Sequence, residues 1–235
     1  MKMRKTLLIV LALTLALSMS TTAFANPSGW AAAEVNKAIE LGLVPEALQS
    51  NYQANITRAD FCILIMTLVN KEKEAPPEGV EIEELENPFE DTNIHAVIEA
   101  FHAGIVTGRS DTVFDPDGQI TRQEAAAMLE RAVKVITPAV TLIAHVIEFE
   151  DANLIAAWAK ESVDFVVAQE IMRGMTVNPP MFSPLTHYTR EQAILTVLRV
   201  CENFCPGDAD EDDDEDEEDD DDDDDDDEED EDGDE

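Results

Sequence analysis

The chain has 235 residues, of which 53 are acidic and 15 are basic, and its formal net charge is −38 at pH 7. A surface this anionic repels a phosphate backbone, so nucleic acid is not an expected partner. The three cysteines are an odd number without metal-ligand spacing, which excludes a disulfide scaffold and a recognisable zinc motif.

The first 25 residues are predicted to be a secretory signal peptide. Lys2, Arg4 and Lys5 form a positive start, residues 7–17 are apolar apart from one threonine, and A-F-A at 23–25 is a typical cleavage site. The apolar run is short for a membrane span. We therefore expect a secreted protein that is not anchored across a membrane.

The body, residues 28–205, is predicted to contain three helix–loop–helix units at 28–70, 88–137 and 148–205, with a charged linker at 71–87. Apolar residues recur at helical spacing and strand-like alternation is absent, so the predicted fold class is all-α. The first helices are predicted at 30–43, 93–105 and 154–172, and the second helices at 59–69, 123–135 and 191–201. A single unit could not bury its own apolar face, so the units must pack together.

Each second helix begins at a Thr-Arg pair. The motifs are I-T-R-A-D, I-T-R-Q-E and Y-T-R-E-Q, and their arginines, Arg58, Arg122 and Arg190, are 64 and 68 residues apart. The threonine is a preferred N-cap, and an acid or amide three residues later predicts a capping box. Glycines such as Gly104 and Gly108 allow the preceding helix to end and the chain to turn.

The arginine is not explained by capping, because a cation in the first helical turn opposes the helix dipole. Its recurrence in three motifs indicates an anion nearby. That anion is either internal, with Asp91 and Asp151 as candidates, or a ligand at the helix N-terminus. The residues alone leave both alternatives open.

The C-terminal segment, residues 206–235, is predicted to be a disordered acidic tail. Between Asp208 and Glu235, 26 of 28 residues are carboxylates, and such a run repels itself and cannot bury apolar surface. Aspartate oxygens are natural calcium ligands, so the tail is a candidate for weak calcium binding without a defined cage.

Other candidate residues carry less information. Trp30 and Trp158 open the first helices of units one and three, where packing is favoured over stacking on sugar. His95 and His102 share a helix face, but no third ligand is evident, so no metal site and no cofactor are predicted. No catalytic set is recognisable, so the protein is not expected to be an enzyme.

The repeated motifs resemble those of the S-layer homology family. Unit two has F-E-D at 89–91, G-I-V-T-G at 104–108, F-D-P at 114–116 and I-T-R-Q-E at 120–124. Unit three keeps most of this pattern but has Glu170 in place of the first glycine. Unit one keeps I-T-R-A-D but has a shortened loop without the Phe-x-Pro turn.

The resemblance implies that the three units close into a pseudo-threefold bundle with the Thr-Arg helices at its centre. In the family, grooves between units bind secondary cell-wall polysaccharide, which often carries a pyruvate ketal. Carried over, the motif places Arg58, Arg122 and Arg190 in the grooves, and Gly108 and Gly174 would let the backbone approach the sugar.

The function predicted by this resemblance is non-covalent anchoring of a secreted protein to a bacterial cell wall or S-layer, with the wall polysaccharide as partner. The alternative is a soluble secreted acidic protein that gathers calcium through its poly-Asp tail.

Overall fold

The computed structural model of the protein describes residues 26–72, 85–140 and 148–205. The predicted signal peptide, the predicted acidic tail and residues 73–84 of the predicted linker lie outside the described residues.

The described part of the chain is mostly helical, as predicted. Its α-helices are α1 (Ala32–Glu40), α2 (Arg58–Glu72), α3 (His95–His102), α4 (Arg122–Ile136), α5 (Lys160–Ala168) and α6 (Arg190–Phe204). Short 3-10 turns lie at Glu46–Leu48, Ala152–Leu154 and Ala157–Ala159.

The first helix of each unit is shorter than predicted. α1, α3 and α5 have eight or nine residues, and in unit three two separate 3-10 turns precede α5. After each of these helices one residue has a positive φ, which turns the chain out of the helix: Gly42 at 71°, Gly104 at 73° and Glu170 at 56°. Glu170 thus takes the glycine's backbone conformation in unit three, although only glycine adopts it without steric strain.

Two further features differ from the prediction, the end of α2 and a small hairpin. α2 continues through Lys71 and Glu72, so the segment predicted as linker begins as helix. Strand structure was not predicted, yet a small antiparallel hairpin pairs β1 (Thr176–Val177) with β2 (Pro180–Met181). Strands of two residues are too short to produce an alternating pattern, which is why the sequence did not reveal them.

The second helices α2, α4 and α6 pack against one another, and each first helix packs on the second helix of another unit. α3 contacts α2, α5 contacts α4, and α1 contacts α6. The buried apolar side chains of all three predicted units form one continuous core. The contacts therefore run in a cycle, because the first helix of unit two packs on unit one, that of unit three on unit two, and that of unit one on unit three.

A ring of backbone hydrogen bonds joins the residues that precede the three Thr-Arg pairs. The N–H of Ile56 donates to the carbonyl of Tyr188 at 2.9 Å, that of Tyr188 to Ile120 at 3.0 Å, and that of Ile120 to Ile56 at 3.3 Å. The first N–H of each second helix then donates to the loop of another unit: Arg58 to Gly118, Arg122 to Thr186 and Arg190 to Ala54.

Candidate functional site: two arginine-lined grooves

Arg58 and Arg122 are buried and tie neighbouring units together. Arg58 Nε donates to the carbonyl of Phe114 at 3.0 Å and its Nη2 to that of Thr107 at 3.2 Å. Arg122 makes the same pair of bonds to Phe182 at 2.8 Å and to Arg173 at 2.7 Å. Each guanidinium therefore holds the loop of the following unit at two points.

Each of these guanidinium groups also stacks on an aromatic ring of the same loop. The Cζ atom of Arg58 lies 4.7 Å from the centre of the Phe114 ring, and that of Arg122 lies 4.9 Å from the Phe182 ring. Burial lowers the pKa of both arginines. Carbonyl dipoles and ring faces are the groups that stabilise a cation in such an environment.

Asp91 and Asp151, the candidate internal anions, do not hydrogen-bond to these arginines, although Asp91 interacts electrostatically with Arg58 and Asp151 with Arg122. Each aspartate instead accepts two backbone N–H groups at the turn of its own unit's loop. Asp91 accepts from Phe114 and Asp115 at 2.9 and 2.7 Å, and Asp151 makes the equivalent bonds in unit three. The hydrogen bond from Phe114 is the largest cause of a lowered pKa at Asp91.

A ligand at the helix N-terminus is also not supported. The first two N–H groups of α2, α4 and α6 donate to carbonyls of a neighbouring loop, and the third is capped by the motif threonine. The dipole end of each helix is thus already occupied by protein groups. The predicted capping boxes are confirmed at Thr121–Glu124 and Thr189–Gln192.

Arg190 has different surroundings. Its Nη2 forms an ion pair with Asp60 at 2.9 Å, and its Nη1 donates to the carbonyl of Ser50 at 2.7 Å. Ser50 stands where the other two loops have Phe114 and Phe182, so the stacking ring is missing. Asp60 accordingly binds the arginine of another unit, whereas the longer Glu124 in α4 reaches back to its own cap.

Beside Arg58 lies a surface cavity of about 280 Å³, which we call groove 1. The loop residues Thr107–Arg109 form one wall, α4 forms another, and Trp158 of unit three closes the rim. Its lining includes Arg58, Arg109, Arg131, Glu124 and Gly108. Arg109 pairs with Glu124 inside the groove.

A second cavity of about 150 Å³, groove 2, lies beside Arg122. Its lining repeats that of groove 1 position by position, with α6 in place of α4 and Trp30 of unit one at the rim. The residues equivalent to Arg58, Gly108, Glu124 and Arg131 are Arg122, Gly174, Gln192 and Arg199, while Arg173 stands where groove 1 has Thr107 and Met175 where it has Arg109. The substitution of Gln192 for Glu124 removes the negative charge that groove 1 contains.

Gly108 and Gly174 line the two grooves, and each is required by close contacts. A Cβ atom at Gly108 would lie 2.2 Å from the carbonyl oxygen of Ser110 and 2.7 Å from that of Val113. At Gly174 it would lie 3.0 Å from both the Met181 carbonyl and the Phe149 ring. The glycines therefore allow a compact loop whose backbone is part of the groove wall.

Trp30 and Trp158 do not belong to the core, and of the two packing positions expected for them, core or rim, only the rim agrees with the structure. Their exposed fractions are 61% and 57%, which is high for so large an apolar side chain. Both indoles lie at a groove rim beside the arginines. This position fits contact with a ligand better than contribution to the core.

The sequence analysis missed Arg131 and Arg199. Each lies nine residues after a motif arginine, on the groove side of its helix, whereas the equivalent position in α2 is Thr67. A search for charges repeated at fixed offsets from the Thr-Arg pair would have found them. His95 and His102 contact Glu99 and the carbonyl of Glu86 respectively, and do not meet at a common point.

Residues 89–126 match the family model described as the S-layer homology domain. Within residues 89–126 the chain therefore has the sequence pattern of an S-layer homology domain. The match covers the core of unit two, including Phe89, Gly108 and Arg122. That units one and three are further S-layer homology domains stays a prediction.

Curated relatives include wall- and sugar-related proteins of bacteria. The chain is 31% identical over 142 residues to an endoglucanase of Bacillus sp. (strain KSM-635), which covers 59% of this chain and 14% of the relative. It is 25% identical over 183 residues to the surface-layer 125 kDa protein of Lysinibacillus sphaericus, 77% of this chain and 15% of the relative. An exoglucanase XynX of Acetivibrio thermocellus is 29% identical over 147 residues, 63% of this chain and 13% of the relative.

The chain therefore spans about a seventh of the length of these relatives. The S-layer homology domain is a module for binding and anchoring, and together with the surface-layer relative it supports attachment at the cell wall in general. None of the helices in the described ranges combines the length and the apolar character needed to cross a bilayer.

Proposed function

We propose that grooves 1 and 2 bind an anionic secondary cell-wall polysaccharide and so anchor the secreted protein non-covalently to a bacterial wall. The observation that carries this proposal is the distribution of arginine. Seven arginines follow Ala25 in the sequence, and six of them line the two grooves. In a chain with a net charge of −38, such a concentration of cations favours an anionic ligand.

Within this proposal the three units form a pseudo-threefold bundle, and each groove belongs to three units at once. The cyclic hydrogen bonds among Ile56, Ile120 and Tyr188 support the arrangement, and so does the cyclic packing of the first helices. Groove 1, for example, takes Arg58 from unit one, its loop and helix from unit two, and Trp158 from unit three.

The groove chemistry matches an acidic sugar such as one with a pyruvate ketal. A guanidinium group binds a carboxylate through two parallel hydrogen bonds, which an ammonium group cannot do. An exposed indole at the rim offers an apolar face to a sugar ring. The glycine loops, with Gly108 or Gly174, let the ligand approach the protein backbone closely.

We assign different tasks to the arginines. Arg58 and Arg122 are only 6% and 3% exposed and already donate to loop carbonyls, so they form the groove floor. Arg131 and Arg199 also donate to loop carbonyls, those of Ile105 and Ile171, but they are more accessible and are the candidates for direct ligand contact. The contact of Arg190 with Asp60 and the Ser50 loop is the third interface, and because Asp60 already engages this arginine we do not assign a ligand there.

Co-sedimentation with purified walls tests the proposal, using Trp158→Ala, Trp30→Ala and the double variant. Both side chains are exposed, so their removal leaves the core intact. Leu185→Ala is the matched control, because Leu185 is 58% exposed and lies outside both grooves. Each tryptophan variant is expected to bind about five- to tenfold more weakly, and the double variant more weakly still.

Two further wall preparations complete the test. Walls stripped of secondary polymer should retain neither the wild type nor the control, and mild acid hydrolysis of ketals should weaken binding to intact walls. Equal binding of the wild type and the double variant would overturn the groove assignment. Equal binding to stripped walls would show that the ligand is not the secondary polymer, and calcium uptake without any wall binding would favour the soluble calcium-gathering protein.

A further inference from the structure

Two cysteines and a glutamate meet at the end of the bundle where α2 and α6 finish. Glu72 is the last residue of α2, Cys201 lies in the last turn of α6, and Cys205 is its C-cap. One ligand atom from each of the three residues lies within 4.8 Å of the other two. None of these residues lines groove 1 or groove 2.

We propose that Cys201, Cys205 and Glu72 form a binding site for a divalent transition-metal ion of the zinc type. Two sulfur ligands and one carboxylate oxygen suit a borderline-soft ion with tetrahedral coordination, and water would complete the fourth position. Calcium and magnesium prefer oxygen ligands alone, so this donor set discriminates against them.

The geometry is close to that of a loaded site. Zinc–sulfur bonds of about 2.3 Å place the ligands of a tetrahedral ion roughly 3.5–4 Å apart. The ligand atoms lie within 4.8 Å of one another, so a closure of about 1 Å or less would bring them to this spacing. Cys205 can supply this movement, because it has left the helix and has φ −108° and ψ 98°.

The cluster is accessible from solvent. A surface cavity of about 500 Å³ opens over it and is lined by Glu72, Thr137, Asn203 and Cys205, among others. Cys201 and Cys205 are 2% and 5% exposed, and Glu72 is half-buried, so the ion would enter on the carboxylate side. The cavity also leaves room for the water ligand.

The charge and the protons can be accounted for when the metal ion binds. A divalent ion, two thiols and one carboxylate combine to give a complex with one net negative charge, and two protons leave for solvent. The metal joins the ends of α2 and α6, which belong to units one and three. It would thus hold the bundle together at the end opposite the Thr-Arg pairs.

The third cysteine provides a matched control. Cys62 is completely buried in α2, its Sγ lies 3.5 Å from the carbonyl of Ala96, and it is not part of the cluster. None of the three cysteines forms a disulfide in the structure. A metal site and a disulfide between Cys201 and Cys205 therefore make opposite predictions for thiol counting.

The test is titration of the reduced, metal-free full chain with Co²⁺, followed by absorption. Sulfur coordination produces a near-ultraviolet charge-transfer band, which carboxylates do not produce, so ions held by the acidic tail are silent in this band. We expect a saturable band that zinc removes. It should be lost in Cys201→Ala and in Cys205→Ser, weakened in Glu72→Gln, and unchanged in Cys62→Ala.

Thiol counting under denaturing conditions accompanies the titration, and circular dichroism checks that each variant is folded. Cys205 lies beyond the helix, so Cys205→Ser keeps the test valid if Cys201→Ala does not fold. The proposal is overturned if no band forms, if the band persists in Cys205→Ser, or if the protein as purified contains a Cys201–Cys205 disulfide. Wall binding is measured separately and does not affect this outcome.

Discussion

Grooves 1 and 2 differ from the third interface although all three contain the same Thr-Arg motif. The backbone geometry is shared, since Arg58, Arg122 and Arg190 each donate an N–H group to the loop of another unit. The side chains differ, because two of them stack on a phenylalanine and the third binds Asp60. The neighbouring loop therefore decides what the arginine does.

The Thr-Arg motif combines two tasks, joining units and lining a groove. The motif arginine first joins two units through loop carbonyls, which requires burial and is independent of any ligand. Both grooves found beside it in the described part of the chain are also lined by a second arginine, Arg131 or Arg199, and by an exposed tryptophan of another unit. Retention of the Thr-Arg pair in unit three therefore does not by itself indicate a third binding site.

The largest effect is expected from removing a buried arginine. Arg122→Ala would leave two loop carbonyls without their charged donor and remove the contact with the Phe182 ring, at a cost of about 3–4 kcal/mol in the free energy of unfolding. Arg58→Ala should behave similarly. Arg190→Ala should cost about 1–2 kcal/mol, because Arg190 is less buried and has no stacking ring.

Urea-induced unfolding of the three variants measures this difference. Arg122→Lys is the informative companion, because it keeps the charge but cannot bond two carbonyls in the same plane. Equal destabilisation by all three alanine variants would contradict the division between grooves and third interface. Unchanged stability together with lost wall binding would show that the arginine acts on the ligand alone.

A smaller effect is expected from the loop glycines. Gly108→Ala forces a Cβ atom against two backbone oxygens that belong to the same loop, and we expect a loss of about 2–3 kcal/mol. A Cβ atom at Gly174 would have looser contacts, so Gly174→Ala should lower the free energy of unfolding by roughly half as much. Thermal unfolding measures both, and a larger loss at Gly174 than at Gly108 would be inconsistent with this loop geometry.

Gly29→Ala is the matched control, since nothing lies within 4 Å of a Cβ atom there. It should change stability by less than about 0.5 kcal/mol. Because the Gly108 loop is a wall of groove 1, its variant should also weaken wall binding, and the control should not.

The sequence predicted the parts of this structure that depend on local signals. The Thr-Arg pairs marked the starts of α2, α4 and α6 to within one residue, because capping is decided within four residues. The predicted bounds of the first helices were less accurate, since positive-φ residues end them early and 3-10 turns delay the start of α5.

Long-range placement could not be predicted in the same way. Nothing local to α3 indicates that it packs on α2 and not on α4. Trp158 reaches groove 1 only through that packing of helices, and Glu72 meets Cys205 only because α2 and α6 end side by side. These contacts depend on how the whole apolar core is buried, which a single sequence does not reveal.

The smallest expected effect is a difference between the two grooves in how folding stability depends on pH. Glu124 and Gln192 occupy equivalent capping boxes, but only Glu124 can be protonated. Burial raises the pKa of Glu124, yet hydrogen bonds from Thr121 and the nearby Arg109 outweigh it and hold the pKa below its usual value of 4.5. A carboxylate with a lowered pKa in the folded state stabilises the protein above its unfolded-state pKa, and that contribution disappears as the pH falls through the folded-state value. Glu124→Gln should therefore lose stability at neutral pH, but should show a shallower decline than the wild type as the pH is lowered below 4.5.

Gln192→Glu is the reciprocal variant and should steepen the decline, although less so, because Met175 stands where groove 1 has Arg109. Unfolding by urea at a series of pH values measures both slopes, and parallel pH profiles for the wild type and Glu124→Gln would show that the charge in groove 1 does not contribute to folding.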